Sequence, residues 1–360
     1  MEIFDVAIIG AGPAGSTCAA FCAMTGLDTL VLERAKFPRE KVCGDCLNPS
    51  CWPVLERIGL AQRVWGLPHS KLTSVEFIAI DGRKVSVNLP TGNDSELSIK
   101  RSLFDDILLK RAGELGAHVR EGITVTTLSH DQDWKIETAT RESFRARILI
   151  GADGRNSTVA RLRNLLPRPA RERVALQAHI PLPLNFGDRV VLQFLREGYS
   201  GQAPVNENEL NLCLVGKPST ISRLRQWAQR QFEIPANQRW RTITPLTRSP
   251  IRCAHENLLF IGDAARVVEP FTGEGIYYAL RSGELAARAI AKTISGKDRR
   301  ALREFTHACA EMYGGRLWIN RLARDAVLSP RIGSLFVHAA RIDRSILKFL
   351  TAKIVSASPR

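Results

Sequence analysis

The sequence lacks any apolar run near the roughly 18 residues a membrane span requires, and no basic stretch precedes the first strand-like residues, Phe4 to Ile9. Neither a secretory leader nor a transmembrane anchor is expected, and the default expectation is a cytoplasmic protein. No second close pair of cysteines matches Cys43 and Cys46, so the usual two-pair zinc arrangement is missing and no metal is expected. Zinc-finger spacing, a basic heptad region and an aromatic RNP-like strand are also absent, which argues against nucleic acid as a partner. Acids are scarce relative to bases: 36 Asp and Glu against 51 Lys and Arg leave a net charge of +15. Without a readout motif, that excess implies either a solvated basic surface or attraction to pyrophosphate or anionic lipid. Residues 299–360 concentrate it, with twelve Lys/Arg against four Asp/Glu.

What is there suits a chain of 360 residues folded as two packed domains. Phe4-Asp5-Val6-Ala7-Ile8-Ile9 is β-prone. Gly10-Ala11-Gly12-Pro13-Ala14-Gly15 and an Ala-rich stretch follow, stopping at Gly26, and Thr29-Leu30-Val31-Leu32 then ends on Glu33. This order predicts strand, tight turn, helix, strand. One glycine makes the turn, one lets the backbone reach a pyrophosphate, and one allows close helix packing, while the helix N-terminus attracts the anion. Pro13 fits the first helical turn, and Glu33 stands where a ribose hydroxyl is bound.

Farther along, alternation over residues 72–89 around Asp81-Gly82 predicts a β-hairpin, and residues 102–116 a helix ending at Gly116. Short strands are expected near 118–127 and 134–138, and Ile148-Leu149-Ile150 runs into Gly151-Ala152-Asp153-Gly154. Residues 174–215 read as β, Leu258 to Ile261 as the last buried strand before Gly262-Asp263, and the chain beyond about 276 as helical. Asp153 or Ser157 is also suited to cap a helix over 156–163. Within 334–350, Leu335, Ala339, Ile342, Ile346 and Phe349/Leu350 recur at helical spacing, with Arg341, Arg344 and Lys348 mainly on other faces.

Three apolar strands thus each end in a glycine-acid cluster: GAGPAG with Glu33, GADGRNS, and FIGDAARVVEPFTGEGI. The set resembles the p-hydroxybenzoate-hydroxylase-like FAD oxidoreductases, and KVCGD with PFTGEGIYYALRSG is similar to their geranylgeranyl reductase branch. The resemblance implies an α/β fold: a Rossmann-like FAD-binding domain (1–70, 98–165 and 250–298), an inserted, mostly antiparallel β-sheet substrate domain (71–97 and 166–249), and a helical C-terminal region (299–360). It implies that Gly10, Gly12, Pro13, Ala14 and Gly15 hold the FAD pyrophosphate. Glu33 and Arg34 would meet the adenosine ribose, Arg101 the pyrophosphate region, Val125 the adenine, and Gly262 and Asp263 the ribityl chain. Asp153 would lie near FAD and an incoming nicotinamide nucleotide. Gly273, Glu274, Gly275 and Ile276 would open a helix toward the flavin, whose reduced, negative form a helix N-terminus stabilises. For Arg101 the alternative is an ordinary surface helix arginine.

The stretch KVCGDCLNPSC raises three readings: a metal site, which the missing second pair argues against, a redox pair of Cys46 and Cys51, or a substrate-pocket loop. The family resemblance implies the last, with Cys43 and Gly44 beside the flavin, Cys43 as the catalytic thiol, and Asp45, Tyr199 and Pro204 in the substrate pocket. Cys18, Cys22, Cys213, Cys253 and Cys309 sit in apolar or periodic segments and read as packing. The branch's YxWxFP pattern becomes Tyr199-Ser200-Gly201-Gln202-Ala203-Pro204, with both large aromatics replaced by small residues. Two functions follow: reduction of carbon–carbon double bonds in an apolar prenyl or lipid-like substrate, or monooxygenation of an aromatic or polyketide-like one. FAD is expected as a non-covalent cofactor, NADPH or a protein reductant as electron donor, and the basic C-terminus as a peripheral membrane contact.

Overall fold

The run Val6-Ala7-Ile8-Ile9 lies in the strand Ile3–Ile9 and is buried on both faces, as a parallel strand covered by other layers must be. The computed structural model describes residues 3–92, 95–168, 173–246, 248–268, 270–296, 300–314, 325, 329–343 and 345. Strand order across the first sheet is Ala254–His255, Leu258–Phe260, Ser143–Gly151, Ile3–Ile9, Thr29–Glu33, His118–Glu121. The antiparallel hairpin Val125–His130 and Trp134–Thr138 is joined to Ser143–Gly151. The short strands expected near 118–127 form as His118–Glu121 and the start of Val125–His130, which pair with different partners. In this sheet Ile9 lies opposite both Leu32 and Gly151, and Gly151 opposite Phe260. That register brings the carboxyl ends of four strands level, so the three glycine-acid clusters emerge at one edge.

Alternate residues face different layers. Val6, Ile8 and Val31 pack against the helices Pro13–Met24, Arg101–Glu114 and Gly275–Ile294, while Ala7, Ile9, Leu30 and Leu32 pack against the hairpin side. Small residues let the first and third of these helices touch closely: a Cβ on Gly283 would stand 2.5 Å from the Ala14 carbonyl oxygen.

A second sheet runs Arg241–Ile243, Val174–Pro181, Glu209–Gly216, Gly198–Pro204, Arg189–Leu195, Ser74–Ile78, Lys84–Asn88. It is antiparallel except where Arg189–Leu195 meets Ser74–Ile78, and the helix Ile221–Gln231 packs on it through Leu224 and Ala228. The expected hairpin within 72–89 forms, with its turn at Asp81-Gly82. Ser70–Leu72 and Glu96–Ser98 instead join Cys46–Leu47 in a separate three-stranded sheet, so 71–97 is not wholly part of the large one.

Two described helices follow, Ala301–Gly314 and Pro330–Ile342. The second seats Gly333, Val337 and Ala340 on the second sheet, and a Cβ on Gly333 would be 2.3 Å from the Phe194 ring. Its other apolar stripe, with Leu335, Ala339 and Ile342, is exposed. Arg344, Ile346, Lys348, Phe349 and Leu350 lie outside the described residues. No helix among the described residues is long and apolar enough to cross a membrane.

Candidate cofactor and substrate site

A cavity of about 1200 Å³ runs from the level strand ends of the first sheet to the face of the second. Gly10 adopts φ +103°, and a Cβ there would meet the Ala152 carbonyl oxygen at 2.7 Å. A Cβ on Gly15 would collide with the Gly10 oxygen at 1.9 Å, so this glycine serves packing and does not reach the cavity. Gly12 caps the helix Pro13–Met24, where a Cβ would stand 3.7 Å from Arg39 Nη2, and Gly12, Pro13 and Ala14 line the cavity. Glu33 Oε2 accepts from the Ala11 N–H at 2.8 Å and Oε1 from the Ala35 N–H at 2.9 Å. Glu33, Arg34 and Val125 line the same end.

At the second cluster, Asp153 Oδ2 accepts from the N–H groups of Thr158 and Val159 at 2.6 and 3.0 Å, and Ser157 Oγ accepts from the Ala160 N–H. Both residues therefore cap the short helix Thr158–Leu162. Asp153 Oδ1 is buried without a partner, and burial raises this carboxyl's pKa. At the third, Arg155 Nη2 donates to Asp263 Oδ2 at 3.0 Å. Gly262, Asp263, Gly273, Gly275 and Ile276 line the cavity, where the helix Gly275–Ile294 begins. Glu274 does not: its carboxyl is buried and accepts from the Tyr278 hydroxyl at 3.3 Å.

Arg101 is buried and bidentate to Asp105, both bonds 2.7 Å, which removes the surface-arginine alternative. Arg39 also pairs with Asp105, at 3.1 Å. Arg39, Lys41, Arg101 and Arg155 all line the cavity. Burial and then the neighbouring Arg101, Arg39 and Arg155 lower the Lys41 pKa from 10.5 to about 8.

The KVCGD loop crosses between the two regions, and Cys43, Gly44 and Cys46 line the cavity. The Cys43 carbonyl accepts three bonds from the second sheet: Gln177 Nε2 at 2.9 Å, Asn211 Nδ2 at 2.9 Å and Cys213 Sγ at 3.2 Å. Gln177 is opposite Cys213, and His179 opposite Asn211, in adjacent antiparallel strands. Asp45, with φ +59°, turns away from the cavity to His179. Expected in the substrate pocket, it does not line the cavity, because its carboxyl is engaged by His179 and Gln177 of the second sheet. Pro204, the buried last residue of the strand Gly198–Pro204, does not line the cavity either, whereas Tyr199 does. Burial pushes the Cys43 thiol pKa up, and the Arg101 guanidinium only partly offsets this. Cys43 is thus a protonated thiol at neutral pH.

All eight cysteines are free, and no group of His, Cys, Asp or Glu able to hold a metal occurs among the described residues. Cys213 departs from its packing assignment, since its thiol lines the cavity and anchors the loop. Beyond the loop, Phe77, Phe194 and Tyr199 surround Phe271, with ring centroids 5.3 to 6.3 Å away. Gly201 and Ala203 line this chamber where the branch has large aromatics.

The FAD binding domain family matches residues 4–181. Menaquinone reductase of Mycobacterium tuberculosis is 30% identical over 79% of this chain and 76% of the relative. Digeranylgeranylglycerophospholipid reductase 1 of Methanopyrus kandleri is 28% identical over 82% of each chain. In fold the chain is similar to a flavin-dependent brominase, with a TM-score of 0.80 at 21% identity over 98% of this chain and 94% of that one. The chain belongs to the geranylgeranyl reductase-like FAD-dependent oxidoreductases.

The groups present fit this family's cofactor. Arg155 Nε and Nη1 and Asp153 Oδ1 are buried polar atoms without protein partners at the cavity, and among the described residues Arg39, Lys41, Arg101 and Arg155 share only the two pairing carboxylates Asp105 and Asp263, an excess of positive charge that suits an anion such as a pyrophosphate. Reading the sequence for the family's motifs missed Arg39, Lys41, Arg155, Gln177, His179, Asn211 and the cavity-facing role of Cys213. Arg155 lies inside the GADGRNS cluster and Lys41 begins KVCGD, so both had a signal. For the sheet residues the signal was fainter: polar side chains at alternate positions, Gln177 with His179 and Asn211 with Cys213, on one face.

Proposed function

We propose that this FAD-dependent oxidoreductase reduces carbon–carbon double bonds of an apolar prenyl or lipid-like substrate. The carrying observation is continuity: the cavity lined by Gly12, Glu33 and Asp263 passes Cys43 and continues into a chamber walled by Phe77, Phe194, Tyr199 and Phe271. The names of the menaquinone and digeranylgeranylglycerophospholipid reductases support the same substrate class. Gly10, Gly12, Pro13 and Ala14 would hold the pyrophosphate at the helix N-terminus with Arg101 and Lys41 near it, Glu33 and Arg34 the adenosine ribose, Val125 the adenine, and Asp263 the ribityl chain.

Bound FAD supplies two-electron transfer to carbon. Saturating a double bond also takes up two protons, and Cys43 Sγ holds one at the junction of the two regions. The three bonds to its carbonyl hold the loop backbone that carries the thiol, and the aromatic walls orient the chain and exclude water. Electrons would come from NADPH or a reductant protein. The exposed stripe of the helix Pro330–Ile342 supports peripheral attachment to anionic lipid, since Ile332 and Phe336 of that helix also line the cavity while Arg331 and Arg341 are exposed beside it.

The small residues Gly201 and Ala203 favour the second reading, a monooxygenase taking a bulkier ring system. Anaerobic turnover with a chemical reductant separates the two. A product that gains two hydrogens without O₂ supports reduction; a product formed only with O₂ and carrying a new oxygen refutes it. Under reducing turnover Cys43→Ser should keep FAD and slow product formation.

A further inference from the structure

Glu96 begins the short strand Glu96–Ser98 and lies opposite Leu72. It is 9% exposed and lines the cavity, in company with the small apolar cluster of Leu72, Leu89, Cys46, Val75 and Val190. Among the described residues no hydrogen bond or ion pair reaches its carboxyl. Buried carboxyls are ordinarily paired, so one left open toward a chamber faces a ligand group. The titratable side chains that sense it are Cys46 and Cys51, and burial raises both thiols well above their ordinary range, which leaves them neutral. Among the described residues no cation compensates Glu96, and burial pushes it up from 4.5 to about 7. A neutral carboxyl is an O–H donor, and a donor set among apolar walls selects a substrate that presents an acceptor at that point.

We propose that Glu96 is the polar anchor of the substrate chamber, donating a hydrogen bond to a neutral oxygen, such as a quinone or ketone carbonyl, on an otherwise apolar substrate. The inference rests on the chamber being the substrate site, and it narrows the class: an anionic head group is disfavoured at this end, because ionised Glu96 repels it.

The test is binding to the FAD-loaded protein, independent of turnover. The probes are a dimethylnaphthoquinone, with both ring positions beside the carbonyls methylated so that thiols cannot add, and dimethylnaphthalene of the same shape. FAD content is matched across variants first. Well below pH 7 the wild type should bind the quinone about tenfold more tightly than the hydrocarbon, the ratio expected for one net hydrogen bond. Well above pH 7 that preference should disappear as Glu96 ionises. Glu96→Gln, which retains a donor, should keep the preference at both pH values, and Glu96→Leu should lack it at both. If both probes bind and Glu96→Leu retains the wild-type preference, the anchor is overturned and the chamber stands. If neither probe binds the wild type, the chamber reading fails and the anchor with it.

Discussion

Nε2 of His179 lies 2.8 Å from Oδ2 of Asp45, joining the second sheet to the loop that carries Cys43. Both side chains are buried, and a buried pair is costly to break because the surviving group is left uncompensated. His179→Leu should therefore destabilise the protein by about 3 kcal/mol or more, whereas Asp45→Asn with His179→Leu should recover much of the loss. Urea denaturation of the four-member cycle decides it, and strictly additive losses would show that the two residues do not act as a pair.

Lys41 carries its charge below about pH 8 and loses it above. Wild-type affinity for FAD should accordingly decline as pH rises through that value. Lys41→Met should bind FAD about tenfold more weakly at neutral pH, the scale of one charge-assisted bond, and show a flatter profile. Equilibrium dialysis measures both, and a variant matching the wild type at neutral pH would remove this lysine from the cofactor site.

Gly333 gives the last described helix its approach to Phe194. Gly333→Ala should force the ring aside at a cost of about 1–3 kcal/mol. Because Phe194 walls the substrate chamber and not the nucleotide end, KM should rise with FAD content unchanged. Phe194→Leu, added to Gly333→Ala, should restore stability. Loss of FAD in the single variant would contradict this division of the cavity.

Leu335 and Ile342 are 67% and 91% exposed. Replacing both with Asp should leave the melting temperature nearly unchanged, as expected at exposed positions. Co-sedimentation with anionic vesicles at low salt should be lost. Binding to neutral vesicles as strong as to anionic ones, or a double variant that still sediments, would end the membrane proposal.

The first sheet was legible because its strands are continuous apolar runs ending in glycine and acid, a pattern with few other uses. Glu33 and Gly10 could be placed from spacing alone, whereas Asp45 could not: its partners His179 and Gln177, far off in the chain, leave no mark beside it in the sequence, and they turned the expected pocket acid into an anchor. Which face of the last described helix docks on the sheet left a weaker mark in the sequence. Leu335, Ala339 and Ile342 repeat at helical spacing, but Gly333, Val337 and Ala340 form a second stripe of smaller residues, and close approach to Phe194 favours the smaller one. Glu96 was silent because a lone acid between Ser95 and Leu97 resembles any surface strand residue until its neighbours close around it.

Glu33 holds the Ala11 N–H with one carboxylate oxygen and the Ala35 N–H with the other, and so staples the glycine turn to the end of the next strand. A turn fixed in this way before any nucleotide arrives leaves little backbone entropy to be lost at the encounter. Cofactor capture then becomes a collision problem and not an ordering problem. Its rate constant should follow the electrostatic pull of Arg39, Lys41, Arg101 and Arg155, falling steeply with ionic strength while the dissociation rate changes little.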